Sequence, residues 1–297
     1  MCGIVGLFLK NERLEPQLGA LTSRMLGVMS DRGPDSAGFA VYGPGQRDRI
    51  KLTLRGDRHT AGALFAAFEE AFEVPADFTV RDSHSVLSLP ADQEEGARAW
   101  LAETHPDIRL VGAGRKMELY KEVGLPTEVS EMFGLVEMTG THAIGHTRMA
   151  TESSVTTDGA HPFSTGTDQC LVHNGSLSNH NDVRRRLQRE GLSFETQNDT
   201  EVAAGYLSWR MREGDSLKQA LEASLDDLDG FYTFVVGTET GFAVLRDPIA
   251  CKPAVMAETD DYVAFGSEYR ALVDLPGIET ATMFEPEPAR VYAWERH

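Results

Sequence analysis

Met1-Cys2-Gly3-Ile4-Val5-Gly6-Leu7-Phe8-Leu9 is the stretch around which the rest of the chain has to be read. The apolar run 4–9 fits a buried strand, which would hold Cys2 at a fixed place in the core. If Met1 is removed, Cys2 carries two reactive groups, a thiol with a pKa of roughly 8.5 and an α-amine of roughly 8. Near neutral pH an amine that is partly unprotonated can take the thiol's proton, which makes a nucleophile that carries its own base. Taken alone, a cysteine after a start methionine is more simply a small residue beside the initiator. The remainder of the chain has to decide.

The chain has 297 residues, enough for one large domain or two small ones, and 41% of them are hydrophobic. Its formal net charge is −18, from 28 basic and 46 acidic side chains. That balance argues against nucleic acid or an anionic membrane as partner, because both need clustered Lys and Arg. The one basic cluster, Arg184-Arg185-Arg186, lies in a helix-like stretch and reads as a solvated face. There is no long apolar span and no signal-peptide pattern, so a cytoplasmic location is expected. Cys2, Cys170 and Cys251 are odd in number and widely spaced, which gives neither a disulfide framework nor a metal pattern.

Strand-like segments are expected at 3–9, 39–42, 142–147 and 169–172, and helical spacing at 15–29, where Leu18, Leu21, Met25, Leu26 and Met29 share a stripe. Residues from about 46 to 135 alternate differently: strand 49–54, helix 61–72, strand 78–89, helix 93–103, strand or hairpin 108–123, helix 127–133. This stretch reads as an inserted or expanded α+β elaboration. Helices at 181–190, 200–211 and 217–228 precede short strands at 231–237, 242–246, 254–258, 262–265 and 291–294. The sum is a strand-rich α+β protein with its helices in blocks.

Four polar patches far apart in the chain could complete an amide-cleaving site around Cys2. They are Arg32-Gly33 with Ser36, the run Gly145-His146-Thr147-Arg148-Met149-Ala150-Thr151, His173-Asn174-Gly175, and Asn198-Asp199-Thr200-Glu201. A thiolate attacking a carboxamide needs donors for the developing oxyanion, and Asn174-Gly175 offers a side-chain amide beside a backbone N–H. An α-amino-acid substrate needs a guanidinium fork for its carboxylate and a carboxylate for its ammonium; Arg148 and Asp199 supply that pair. Each patch alone has a plainer explanation: a tight turn, a helix cap, a surface charge or a loop. Their joint occurrence with Cys2 is what lifts them.

In these stretches, and in Arg32-Gly33-Pro34-Asp35-Ser36-Ala37-Gly38, His161-Pro162, Arg246-Asp247-Pro248, Lys252-Pro253 and Gly266-Ser267-Glu268, the chain resembles the class II glutamine amidotransferases. The resemblance covers nearly all of residues 1–297 outside the middle stretch. It implies an N-terminal-nucleophile hydrolase fold, a four-layer αββα sandwich. It also implies Cys2 as nucleophile, Asn174 and Gly175 as oxyanion hole, Arg148 on the substrate α-carboxylate and Asp199 on the α-ammonium. Thr151 would help bind the ligand, Arg32 would support the nucleophile region, and His161 would be structural. No metal or organic cofactor is implied in this chain.

Three departures from the family bear on function. The separation between Arg32 and Arg148 is longer than in simple members. Met149 stands where many relatives have an aromatic residue, and the loop 152–159 that follows is polar. No acceptor-synthesising domain is expected after Trp294, and the released amine is expected to pass to a separate protein. The resemblance is greatest to the amidotransferase subunit of glutamate-synthase-like complexes such as N-methylglutamate synthase. It implies glutamine or γ-glutamylmethylamide as donor, ammonia or methylamine as product, and partner subunits carrying flavin (FMN) and iron–sulfur groups. The alternatives are a non-catalytic scaffold or sensor of the same fold and a stand-alone amidase. A retained Met1 would lock the Cys2 amine in a peptide bond and favour the scaffold.

Overall fold

The computed structural model describes residues 2–150 and 154–296. Its centre is the strand Gly3–Leu9, buried along its whole length. Alternate side chains of a strand face opposite ways, so this strand feeds two cores. Val5, Leu7 and Leu9 pack with Leu18, Leu21, Met25 and Leu26 of the helix Leu18–Val28. Ile4 and Phe8 pack against Val172, Val235 and Phe242 of a second sheet. That two-sided burial explains why the run reads as continuously apolar rather than alternating.

The strand lies inside a seven-stranded sheet whose order is Thr282–Phe284, Val255–Glu258, Tyr262–Gly266, Gly3–Leu9, His142–Arg148, Ser36–Tyr42 and Met117–Val123. All neighbours are antiparallel. The facing sheet runs Val291–Glu295, Gly241–Arg246, Gly230–Gly237, Gln169–Leu177 and Phe163–Gly166. Helices Leu18–Val28 and Pro126–Phe133 cover the outer face of the first sheet. Helices His180–Arg189, Asp199–Arg212 and Leu217–Asp227 cover the outer face of the second. The layers are therefore helix, sheet, sheet, helix.

A third sheet stands apart. Its strands Arg49–Arg55, Asp77–Arg81, His84–Pro90 and Arg109–Gly114 alternate with helices Ala61–Phe72 and Glu94–Thr104. The spatial order is 77–81, 84–90, 49–55, 109–114, and the chain order is βαββαβ, a split βαβ unit. It has its own core of Leu52, Leu54, Leu64, Phe68, Leu87 and Leu101. The segment read as one strand over 78–89 is a hairpin, turning at Asp82-Ser83 with Asp82 in a left-handed conformation (φ 51°). The segment 108–123 is likewise divided, with Arg109–Gly114 in the third sheet and Met117–Val123 in the seven-stranded one. The Asp168 carboxylate holds the turn between them by accepting from the N–H groups of Arg115, Lys116 and Met117 at 2.7, 2.9 and 2.9 Å. The helix Pro126–Phe133 also packs on the larger sheet, so the separate unit occupies 49–114.

The expected helix over 15–29 begins as a 3-10 turn, Glu12–Gln17, and becomes α-helical at Leu18. Pro16 lacks the N–H that an α-helix interior needs there. The basic cluster is not one solvated face. Arg184 is buried and donates to Gln197 and to the Asn198 carbonyl, while Arg186 lies 4.8 Å over the Trp209 ring. Only Arg185 of the three is fully at the surface.

Candidate active site

Gly3 stands opposite Thr147 on the neighbouring antiparallel strand, so the start of the first strand lies beside the end of His142–Arg148. Cys2 is half-buried there, and its Sγ approaches the Met149 carbonyl at 3.9 Å. The Cys2 carbonyl accepts from Arg32 Nε at 3.0 Å and from Asn174 Nδ2 at 3.1 Å. Arg32 is buried, and its Nη1 pairs with Glu268 at 2.6 Å. The hydrogen bond from Arg32, more than the nearby Arg270, holds the Glu268 carboxyl below its usual range. Ser267 bonds both the N–H and the carbonyl of Ile4, each at 2.9 Å, so the residues after Cys2 are fixed from both sides.

Asn174 and Gly175 lie toward the end of the strand Gln169–Leu177. Gly175 has φ +149°, and a Cβ on it would lie 1.9 Å from the Phe231 carbonyl oxygen, so no other residue fits. The Asn174 amide carries two hydrogens; one is used on Cys2, which leaves a second for a ligand. Asp199 opens the helix Asp199–Arg212, capped by the Asn198 side chain, which accepts from Thr200 N at 2.9 Å. A carboxylate at a helix N-terminus is favoured by the exposed N–H groups there. Asp199 Oδ2 also accepts from Leu177 N at 2.9 Å, which ties the helix to the strand just past Gly175.

Arg148 is buried at the end of its strand, and its Nη1 reaches the Ser154 carbonyl at 3.4 Å. Asp35 clamps the backbone on either side of Met149: its N–H donates to the Arg148 carbonyl at 3.1 Å, and its carboxylate accepts from Ala150 N at 2.8 Å. Gly33 lies against the same backbone; a Cβ on it would sit 2.5 Å from Arg148 N. Thr151 lies outside the described residues, as does Met1. Cys2, Arg32, Arg148, Asn174, Gly175 and Asp199 are thus gathered by strand ends and one helix N-terminus.

Beneath them lies a buried polar layer that residue-by-residue reading missed. His146 and His161 stack with ring centroids 4.0 Å apart, and His146 Nε2 bonds the His173 carbonyl at 3.1 Å. The Thr200 hydroxyl lies 3.0 Å from His173 Nδ1 and 3.2 Å from His161 Nε2. Burial pushes His146 down to about 3 and lowers His161 well below its ordinary value, so both rings are neutral near pH 7. Burial also lowers His173, with the Asp199 charge opposing it. The detectable signal was position: His146 is two residues before Arg148, His173 directly before Asn174, and Thr200 directly after Asp199. Asp35, Glu268 and Ser267 were visible only as parts of longer motifs.

The glutamine amidotransferase domain family is matched over residues 146–274. The glutamine amidotransferase-like protein GlxB of Rhizobium meliloti is 62% identical over 99% of this chain and 98% of its own length. The chain belongs to the class II glutamine amidotransferase family. The amidophosphoribosyltransferase of Bacillus subtilis is 33% identical over 58% of this chain and 37% of that enzyme. Among solved structures, the glutamine phosphoribosylpyrophosphate amidotransferase of B. subtilis superposes with a TM-score of 0.61 at 23% identity. It covers 99% of this chain, while the chain spans only 47% of that protein. The fold is thus the α+β N-terminal-nucleophile hydrolase fold shared with that amidotransferase.

Other chemistry-bearing groups of this family member lie elsewhere. Burial pushes the Cys170 thiol up to about 12, which leaves it inert beside Tyr42. A cavity of about 510 Å³ opens between the strands Arg109–Gly114 and Phe163–Gly166. The buried Lys121, lowered to about 8 by burial, lines it and donates to the carbonyls of Asp158, Ala160 and Pro162. Among the described residues, no helix is long and apolar enough to cross a membrane, and no cluster of His, Cys, Asp or Glu could hold a metal ion.

Proposed function

We propose that this chain hydrolyses the γ-amide of glutamine or of a γ-glutamyl amide through a Cys2 thioester. The observation that carries the reading is the convergence of Cys2, Asn174, Gly175, Arg148 and Asp199 on one end of the facing sheets. With Met1 removed, the Cys2 amine takes the thiol proton, and the thiolate attacks the γ-carbonyl carbon. The oxyanion is held by the second Asn174 hydrogen and the Gly175 N–H. The ammonium of Cys2 then protonates the leaving nitrogen as the C–N bond breaks, giving the γ-glutamyl thioester. Water cleaves the thioester to glutamate and restores the thiol. Arg148 holds the α-carboxylate and Asp199 the α-ammonium; Arg32 fixes the Cys2 carbonyl, and Thr151 contributes to ligand binding.

On this reading the released ammonia or methylamine passes to a glutamate-synthase-like partner carrying flavin (FMN) and iron–sulfur groups, as in N-methylglutamate synthase. Support for the larger amine comes from Met149, a flexible side chain at a position where the family resemblance implies an aromatic ring in many members. Steady-state turnover of glutamine and of γ-glutamylmethylamide by the assembled complex tests the donor. A strong preference for the methylamide is expected, and a clear preference for glutamine removes the methylamine version. Intact mass tests the mechanism itself, since a retained Met1 excludes the Cys2 amine as base.

A further inference from the structure

Two buried histidines and the Asp199 carboxylate meet at one hydroxyl. Thr200 Oγ1 lies 3.0 Å from His173 Nδ1, 3.2 Å from His161 Nε2 and 3.5 Å from Asp199 Oδ1. Thr200 is wholly buried, and His173 and His161 nearly so. His173 Nδ1 is itself 3.7 Å from Asp199 Oδ1. A threonine hydroxyl has one hydrogen and two lone pairs, so it cannot donate to all three neighbours. The Asp199 carboxylate only accepts, while each neutral ring donates from one nitrogen and accepts at the other. The direction of the bonds at Thr200 therefore depends on how strongly Asp199 claims the hydroxyl proton.

The far ends of this network are the parts of the site that face substrate. His173 precedes Asn174 in the chain, and its Nε2 lies 2.9 Å from the place a Gly175 Cβ would occupy. His146 Nε2 bonds the His173 carbonyl at 3.1 Å, two residues from Arg148. Among the described residues, His146 Nδ1, His161 Nδ1 and His173 Nε2 find no hydrogen-bonding partner. A buried network with unpaired members has few ways to compensate for a lost bond.

We propose that Thr200 is a positioning residue that couples occupancy of Asp199 by the substrate's α-ammonium to the placement of the Asn174-Gly175 oxyanion strand. An ammonium seated on Asp199 takes up the carboxylate oxygen that faces the hydroxyl. The hydroxyl proton is then released to the imidazole side, and His173 is held in one orientation beneath Gly175. An amide without the α-amino group leaves Asp199 competing for the hydroxyl and gains none of this. The inference rests on the proposed hydrolysis of γ-glutamyl amides and names how the site selects an amino-acid donor.

The experiment compares kcat and KM for glutamine and for glutaric acid monoamide, which has the same amide and no α-ammonium. Wild type, Thr200→Ser and Thr200→Val are assayed as the full chain, with its partner if the wild type requires one. The expected result is a fall of about tenfold in the glutamine-to-monoamide ratio of kcat/KM for Thr200→Val, carried by kcat on glutamine, with recovery in Thr200→Ser. Equal losses on both amides, or no loss on either, overturn the coupling and leave Thr200 as packing. Thr200→Ala, which only removes atoms, makes the same comparison if valine does not fold. Cys2→Ala separates the two claims: hydrolysis that survives there overturns the thioester reading, while the Thr200 ratio is judged on its own. A second readout needs no turnover. Saturating glutamate is expected to shift the ring-nitrogen NMR signals of His173 in wild type and not in Thr200→Val; no response in wild type overturns the proposal.

Discussion

The facing sheets and the split βαβ unit between residues 49 and 114 are built from the same kind of apolar alternation, yet they differ in how many polar groups they bury: the unit buries Thr53, His84 and Ser85, the facing sheets many more. The core of the inserted unit is largely aromatic: Phe65 stacks on Phe78 at 5.0 Å and Phe68 on Phe72 at 4.5 Å, with Trp100 edge-on to both Phe68 and Phe72. The facing sheets instead bury His146, His161, His173, Thr200, Arg32 and Arg148 around the same strand ends that carry Cys2 and Asn174. Buried polar groups are costly unless partnered, so their concentration at one end of one region points to use rather than stability. The comparison separates a region that needs only to be folded from one that must also be poised.

The sharpest way to break that contrast is Cys2→Ala. It is expected to lower amide hydrolysis by a factor on the order of 10⁴ or more while leaving the melting temperature nearly unchanged. Residual hydrolysis near the wild-type level would move the chemistry elsewhere. Phe68→Ala probes the other region. Loss of a fully buried aromatic is expected to cost about 3–5 kcal/mol by denaturant unfolding of the inserted unit. At temperatures where that unit stays folded, kcat should change less than about twofold. A collapse of kcat would show that the inserted sheet is part of the poised region.

Asp199→Asn removes charge but little volume. It is expected to lower kcat/KM for glutamine about 100-fold through loss of a charge-assisted contact to the ammonium, with a much smaller effect on the monoamide. The smallest effect concerns acid. His142 and His146 are lowered to about 3 by burial, below the roughly 6.5 of an unfolded chain. Between those values the unfolded state binds more protons, so stability falls as pH drops below about 6.5 and is fully present above it. At pH 5 each ring costs about 2 kcal/mol, and His146→Gln should flatten the pH dependence of unfolding. His84, lowered to about 3 in the same way, sits at the seam between the inserted unit and Phe133, and tests whether the seam shares this acid sensitivity.

Much of the site was legible because its residues are adjacent to strong local patterns. Cys2 precedes an apolar strand, Asn174-Gly175 ends another, and Asp199 heads a helix with a capping asparagine. What stayed hidden was whatever depends on which elements meet. The hairpin at Asp82-Ser83 has neither glycine nor asparagine to mark it, and both of its flanks are strand-like, so it read as one strand. The edge strands Phe163–Gly166 and Thr282–Phe284 are too short to show a period. Arg184 looks like any surface arginine until Gln197 and Asn198 are brought against it from the turn that caps the next helix. The histidine layer was invisible for a related reason. His146 sits on a strand whose neighbours are apolar on both faces, and only the third dimension joins it to His161 and His173.

One further consequence follows from the pairing of Tyr42 with Met117 on adjacent strands. The chain leaves the seven-stranded sheet after Tyr42 and returns directly beside it, so the whole split βαβ unit is a loop between two neighbouring strands. Closing a long flexible loop slows folding, because its entropy must be lost before the distant contact forms. A loop that folds around its own core escapes most of that delay, since its ends are already close when the two strands meet. Here the Asp168 carboxylate then fastens the returning turn at Arg115 to Met117. In kinetic terms the inserted unit behaves like a tight turn between Tyr42 and Met117, and it accounts for most of the long sequence separation between Arg32 and Arg148.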